Sequence, residues 1–162
     1  MSAAEMAPRR VVTHSPEETI ALGRQLAREL VPPVMVLLLG DLGAGKTTLA
    51  KGLVAGLGAA PEEEVTSPTF TLIHEYGGEY GPGQPGGCRV YHVDLYRIET
   101  PREFSTLGIE DLLSDRAVVL FEWGEKLGPS FRIPRPGSAL VEIRLKVVNE
   151  DEREIEIQTA GA

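Results

Sequence analysis

The residues best equipped for chemistry lie in one run, Gly40-Asp41-Leu42-Gly43-Ala44-Gly45-Lys46-Thr47, which matches the pattern G-x-x-x-x-G-K-[ST] in full. Glycines at these places let successive backbone N–H groups curl around phosphate oxygens without a Cβ in the way. A lysine then brings a point charge to the β- and γ-phosphates, and the threonine hydroxyl that follows suits Mg²⁺. The spacing therefore predicts a phosphate site built from Asp41, Leu42, Gly43, Ala44, Gly45, Lys46, Thr47 and Thr48. A glycine-rich turn with a chance lysine would share the composition. It would have no reason to sit between an apolar strand and an amphipathic helix, as this one does.

A phosphate site of this kind also wants an acid at the end of a neighbouring buried strand, to hold the metal's water shell. Two runs offer one. Ala117-Val118-Val119-Leu120-Phe121-Glu122 is smoothly apolar and ends in glutamate rather than the usual aspartate; Val90-Tyr91-His92-Val93-Asp94 is less apolar and also ends in an acid. On the plainer reading one of these acids is a helix cap or an ion-pair partner. Ligands of α/β sheets bind at the carboxyl ends of strands, so both Asp94 and Glu122 are expected to face the metal and γ-phosphate.

The elements that must position these groups are legible from pattern. Ser15-Pro16-Glu17-Glu18 reads as a helix start, with Ser15 as N-cap, Pro16 first in the helix and Glu18 as the reciprocal acid of a capping box. Leu22, Leu26 and Leu30 continue it until Pro32-Pro33. Residues 34–39 are apolar throughout, as a strand covered on both faces should be. After the glycine turn, Leu49, Leu53 and Leu57 give a second helix, with Gly58 at its C-terminus. Residues 69–76 and 89–94 read as strands. Between them, residues 77–87 form a glycine- and proline-rich stretch expected to be a flexible surface loop. Thr100-Pro101-Arg102-Glu103 opens a helix through about residue 113, 117–121 is a buried strand, and 140–147 with 153–157 alternate as a terminal hairpin. The sum is a single domain, 1–162, of three-layer α/β type: P-loop NTPase-like, with a mostly parallel central sheet and a C-terminal β-hairpin. Residues 1–10 are expected to be a flexible tail.

Composition narrows the function classes. The formal net charge is −8, whereas a protein that grips nucleic acid alone normally shows a basic face. No apolar run approaches the roughly 20 residues needed to cross a bilayer, and one cysteine excludes an internal disulfide. A cytoplasmic protein is expected. No Asn-Lys-x-Asp run is present to read guanine, which argues against a GTP switch; Mg²⁺ is the expected cofactor. A small-molecule kinase would need a lid carrying arginines, for which Arg132 and Arg135 are the clustered candidates. An ATP-gated assembly factor stays open as a third reading. His74 and His92 are set aside as structural, and Cys88 because, beyond Arg89, it has no basic or metal context to activate it.

Several stretches together resemble the TsaE (YjeE) family. They are Gly-Asp-Leu-Gly-Ala-Gly-Lys-Thr-Thr at 40–48, Ser-Pro-Thr-Phe-Thr-Leu-Ile at 67–73, His-Val-Asp-Leu-Tyr-Arg-Ile at 92–98, Gly-Ile-Glu-Asp at 108–111 and Phe-Glu-Trp-Gly-Glu at 121–125. The resemblance implies a slow ATPase that works with two partner proteins, TsaB and TsaD, in forming threonylcarbamoyl-adenosine 37 of tRNA. ATP hydrolysis by this component would sustain repeated turnover, and tRNA would be met only through the complex. Carried over by motif, Lys46 contacts the phosphates, Thr47 and Glu122 attend the magnesium, and Asp94 serves hydrolysis. Residues 67–71 become a switch-like segment near the γ-phosphate. The adenine is implied near residues 14–16 and the C-terminal hairpin, which nominates Ser15 and Arg153. Trp123 belongs to the family motif but is expected to pack rather than to act.

Overall fold

The computed structural model describes residues 8–68, 71–77, 89–112, 116–127 and 139–160. In chain order the described strands and α-helices are β1 (Arg9–Thr13), α1 (Pro16–Ala27), β2 (Val34–Leu39), α2 (Lys46–Gly56), β3 (Ile73–Tyr76), β4 (Arg89–Asp94), α3 (Pro101–Ser105), α4 (Ile109–Leu112), β5 (Ala117–Glu122), β6 (Ala139–Val147) and β7 (Arg153–Ala160). Among the described residues the seven strands form one sheet in the order β1-β7-β6-β2-β5-β4-β3. Its four central strands, β6-β2-β5-β4, run parallel. Antiparallel pairs flank them, β7 and β1 on one side and β3 on the other.

β2 and β5 lie at the middle and are buried at every residue. That is why both read as unbroken apolar runs rather than alternating ones. On one face Val36, Leu38, Val118 and Leu120 pack with Leu26 of α1 and Leu49 and Leu53 of α2. On the other, Met35, Val93 and Phe121 pack with Ile109 of α4, Phe104 of α3 lying against them. The three layers follow. Helices α1 and α2 approach so closely that a Cβ on Gly52 would lie 2.1 Å from the Ile20 carbonyl oxygen, and one on Gly23 2.6 Å from that of Leu49. The base of α1 is thereby fixed against the helix that carries Lys46.

Several expectations are corrected. The flexible tail expected over residues 1–10 is contradicted at Arg9 and Arg10, which belong to β1 and pair with β7, while residues 1–7 lie outside the described set. The period-2 burial of Arg9–Thr13 runs for only five residues and opens on two arginines, which hid the strand. β3 begins at Ile73, because Leu72 takes a left-handed φ of 71° and its N–H closes a turn onto the Pro68 carbonyl; residues 69–70 are outside the description. The helix expected from 100 to 113 is two short helices, parted where Gly108 adopts a φ of 67°. Both capping boxes are only half made. Ser15 and Thr100 accept from the N–H groups of Glu18 and Glu103. Glu18 answers the N–H of His14 rather than Ser15, and Glu103 takes the Thr100 hydroxyl. Residues 78–87 of the expected loop, Cys88, Arg132 and Arg135 lie outside the described residues.

Candidate functional site

β2 delivers the chain to Gly40, and the turn that follows needs three glycines with positive φ: Gly40 at 150°, Gly43 at 81° and Gly45 at 102°. Side chains would resist these angles. A Cβ on Gly40 would also lie 2.6 Å from the Leu145 carbonyl oxygen of β6. The Gly40 N–H donates to Glu125 Oε2 at 2.8 Å, and Ala44, buried, bonds back to the Asp41 carbonyl. α2 then begins at Lys46 with no side-chain cap and no acid in its first turn. Its amino-terminal N–H groups and dipole are thus arranged for an anion.

Lys46 is 5% exposed. Its ammonium donates to the carbonyl of Gly40 and, at 3.3 Å, to that of Asp41, and it stands 3.6 Å from the centre of the Trp123 ring. Burial pushes its pKa down, opposed by the carboxylates of Glu125, Glu122, Asp94 and Asp41. Next to it, the Thr47 hydroxyl donates to Glu122, 2.9 Å from Oε1 and 3.0 Å from Oε2.

The two acids predicted from the strand ends are side by side. Asp94 and Glu122 are register partners of the parallel β4–β5 pair, and both are buried, at 2% and 3% exposed. Glu122 Oε2 also lies 2.6 Å from Nε2 of His92, a wholly buried histidine. Asp94 accepts the Ser67 hydroxyl on Oδ2 at 2.9 Å and the N–H of Tyr96 on Oδ1 at 2.8 Å. It therefore closes a local turn, rather than capping a helix as the plainer reading allowed, and also faces the segment that follows the short 3-10 turn Glu62–Glu64.

The remaining predicted positions fall around this centre. A cavity of 130 Å³ lies beside the glycine turn, lined among others by Ser15, Gly43, Thr48, Asp151 and Arg153. Ser15 is the N-cap of α1. Arg153 donates to the carbonyls of Asn149, Glu150 and Glu152 in the hairpin turn and, at 3.3 Å, to that of Gly43. Its guanidinium ties the hairpin to the glycine turn, a contact that sequence reasoning, which nominated Arg153 for the adenine, had not foreseen. Leu42, at the tip of the turn, is 83% exposed.

Sequence reasoning kept three residues out of the site, setting Trp123 aside as packing and His92 as structural and assigning Glu125 no role. Trp123 holds a left-handed φ of 62°, a conformation that costs a non-glycine residue of order 1–3 kcal/mol, and its ring meets both Lys46 and Tyr96. Glu125 pins Gly40. His92 grips Glu122, and a signal for it existed: residues two apart on a strand share a face, so His92 points the same way as Asp94.

Apolar β2, the glycine turn, Lys46 and Thr47 opening α2, and acids closing β4 and β5 make this an α/β domain of the P-loop NTPase-like class. Comparison with known proteins narrows the class. Residues 13–155 match the family described as "Threonylcarbamoyl adenosine biosynthesis protein TsaE". The chain is 35% identical to the tRNA threonylcarbamoyladenosine biosynthesis protein TsaE of Treponema pallidum, over 91% of this chain and 98% of that protein. It is 37% identical to the protein of the same name from Bacillus subtilis, over 92% and 84%. It is 44% identical to that of Haemophilus influenzae over a shorter stretch, 57% of this chain and 53% of that protein. The crystal structure of Bacillus subtilis YdiB superposes with a TM-score of 0.67 at 31% identity, covering 96% of this chain and 87% of that one. The chain belongs to the TsaE family.

Proposed function

We propose that this chain is the ATP-hydrolysing component of tRNA threonylcarbamoyladenosine biosynthesis, binding ATP with Mg²⁺ and sustaining repeated turnover by TsaB and TsaD. The observation that carries the reading is the bond from Thr47, at the head of the phosphate-binding helix, to Glu122 at the end of the adjacent strand. These are the two oxygen-bearing side chains that a nucleotide-bound Mg²⁺ requires of such a site.

The donor set fits that ion. Thr47, Glu122 and Asp94 offer hard oxygens only, and among the described residues no group of three or more His, Cys, Asp and Glu forms a metal cage. Mg²⁺ is commonly held by one or two carboxylates together with substrate phosphates. When bound, it would neutralise charge on the β- and γ-phosphates. The chain's own residues do the rest. The N–H groups of residues 43–48 cradle the phosphates, and Lys46 exchanges the carbonyls of Gly40 and Asp41 for phosphate oxygens. Asp94 orients the attacking water, and Ser67, bonded to it, senses whether the γ-phosphate is present. Ser15 and Thr48 flank the base, and Arg153 holds the hairpin that completes the pocket.

A net charge of −8 offers no general grip on tRNA, so hydrolysis must act through protein contacts. It can drive a partner's cycle only if the ATP and ADP states differ in affinity for that partner. Among the described residues no helix is long and apolar enough to cross a membrane. The test is reconstitution with purified TsaB, TsaD, threonylcarbamoyl-adenylate and substrate tRNA, adding this protein as wild type, as Lys46→Ala, or not at all. Product beyond the first turnover is expected with wild type alone. Equal product in all three would refute the reading.

A further inference from the structure

His92 is 0% exposed, and burying an imidazole is costly unless it is bonded. Among the described residues its ring makes one hydrogen bond, from Nε2 to Glu122 Oε2 at 2.6 Å, while Nδ1 has no partner. On β4 it lies between Val90 and Asp94 on the same face; across the parallel pair it registers with Leu120, two residues before Glu122. The ring is therefore aimed along the sheet at the carboxylate that Thr47 also binds.

Glutamate replaces the customary shorter acid at this strand end. It carries one more rotatable bond, so its carboxylate can swing where an aspartate's could not. We propose that His92 is a positioning residue that fixes the Glu122 carboxylate for the divalent cation accompanying the nucleotide. The Nε2–H on Oε2 fixes one edge of the group, and the Thr47 hydroxyl reaches across both oxygens, so the carboxylate plane is set before any ligand arrives. An Nε2–H donor exists both in the neutral ε tautomer and in the cation, so the device does not depend on the ring's charge. Partners that orient a ligating carboxylate typically change metal affinity by about 10- to 100-fold when removed.

This inference rests on the metal-site reading of Glu122, and the experiment separates the two. Mn²⁺ is titrated into the full chain saturated with ADP and followed by electron paramagnetic resonance, in wild type, His92→Gln, His92→Asn and His92→Leu. A glutamine amide nitrogen reaches the level of ring Nε2, whereas an asparagine amide stops at the level of Nδ1. Wild type and His92→Gln are expected to bind Mn²⁺ alike. His92→Asn and His92→Leu are expected to bind it about 10- to 100-fold more weakly, with metal-free ADP affinity unchanged in all four. Equal Mn²⁺ affinity in His92→Gln and His92→Asn, or wild-type affinity in His92→Leu, would overturn the inference alone; the first comparison stands even if the leucine variant fails to fold. A wild type without any ADP-dependent Mn²⁺ site would overturn both the inference and the proposed function beneath it.

Discussion

The Lys46 ammonium lies 3.6 Å from the centre of the Trp123 ring while also donating to the backbone carbonyls of Gly40 and Asp41. A desolvated cation–π contact is worth about 2 kcal/mol, so this lysine is already held before a phosphate reaches it. On the proposed function an incoming phosphate would compete with all three contacts and win by its charge. Trp123 is the only tryptophan in the chain, so its fluorescence reports that exchange directly. Addition of Mg-ATP is expected to change the emission of the wild type and to leave Lys46→Ala unchanged. In the same variant, calorimetry should find ATP binding weakened by about 2–5 kcal/mol, the usual result of truncating one partner of a buried charge pair.

The contact between α1 and α2 yields a stability prediction that is independent of any ligand. Alanine is favoured over glycine by about 1 kcal/mol in a helix interior, and Gly52 sits inside α2. Propensity alone would make Gly52→Ala stabilising. Its Cβ would stand 2.1 Å from the Ile20 carbonyl oxygen and 2.9 Å from the carbonyl carbon, both backbone atoms that cannot rotate away. Overpacking of this kind costs about 1–3 kcal/mol, and the helices must part. Gly52→Ala is expected to lower the melting temperature by several degrees in a thermal scan.

His14 supplies a pH-dependent contact. Its pKa is raised above the ordinary 6.5, first by its hydrogen bond to Glu18, with the charges of Glu18 and Glu152 adding to it. The pKa of Glu18 is lowered from 4.5, chiefly by the same bond. A raised histidine contributes stability that is full below its unfolded value and lost as the pH climbs through its folded value. A depressed carboxylate contributes above its unfolded value and loses it as the pH falls through its folded one. The pair is thus at its strongest between about pH 4.5 and 6.5. NMR titration should place His14 above 6.5 in the wild type and lower in Glu18→Gln.

The strand, glycine turn and helix around Lys46 were legible because their determinants are local. A glycine turn, a lysine and a hydroxyl at fixed spacing need only the strand before and the helix after them, and residues 34–58 encode both. Asp94 and Glu122 were legible for a related reason: each ends an apolar run, and the sheet does the rest by registering β4 against β5. What pattern could not show is what depends on contacts between distant segments. Arg153 reaches Gly43 across 110 residues, and Trp123 reaches Lys46 from the far end of β5; no spacing announces either. Likewise β1 is a strand only because β7 presents an edge to it, and its two arginines find Glu29, Glu154 and Glu156. The break at Gly108 lay in plain view as a glycine, but helical periodicity on both sides of it concealed a left-handed residue.

The final prediction separates the two acids, which sequence pattern treated as equals. Glu122 shares the Thr47 hydroxyl, whereas Asp94 holds Ser67 and the Tyr96 N–H, so the two acids have different partners. Glu122→Gln keeps size and hydrogen-bonding capacity but removes the negative charge next to Thr47. It is expected to raise the Mg²⁺ concentration needed for hydrolysis as well as lowering the rate. Asp94→Asn keeps an oxygen for the Tyr96 N–H, so the local turn and the fold should survive. It removes the charge proposed to orient water and is expected to cut hydrolysis by about 100-fold or more with the Mg²⁺ requirement close to that of the wild type. Both rates are to be measured with TsaB and TsaD present, after circular dichroism has confirmed folding. If Asp94→Asn hydrolyses ATP as fast as the wild type in that assembly, Asp94 is a turn-closing residue for Tyr96 and the water must be oriented by another group. If its Mg²⁺ requirement rises as steeply as that of Glu122→Gln, both carboxylates serve the metal, and the division of labour drawn from Thr47 and Ser67 is wrong.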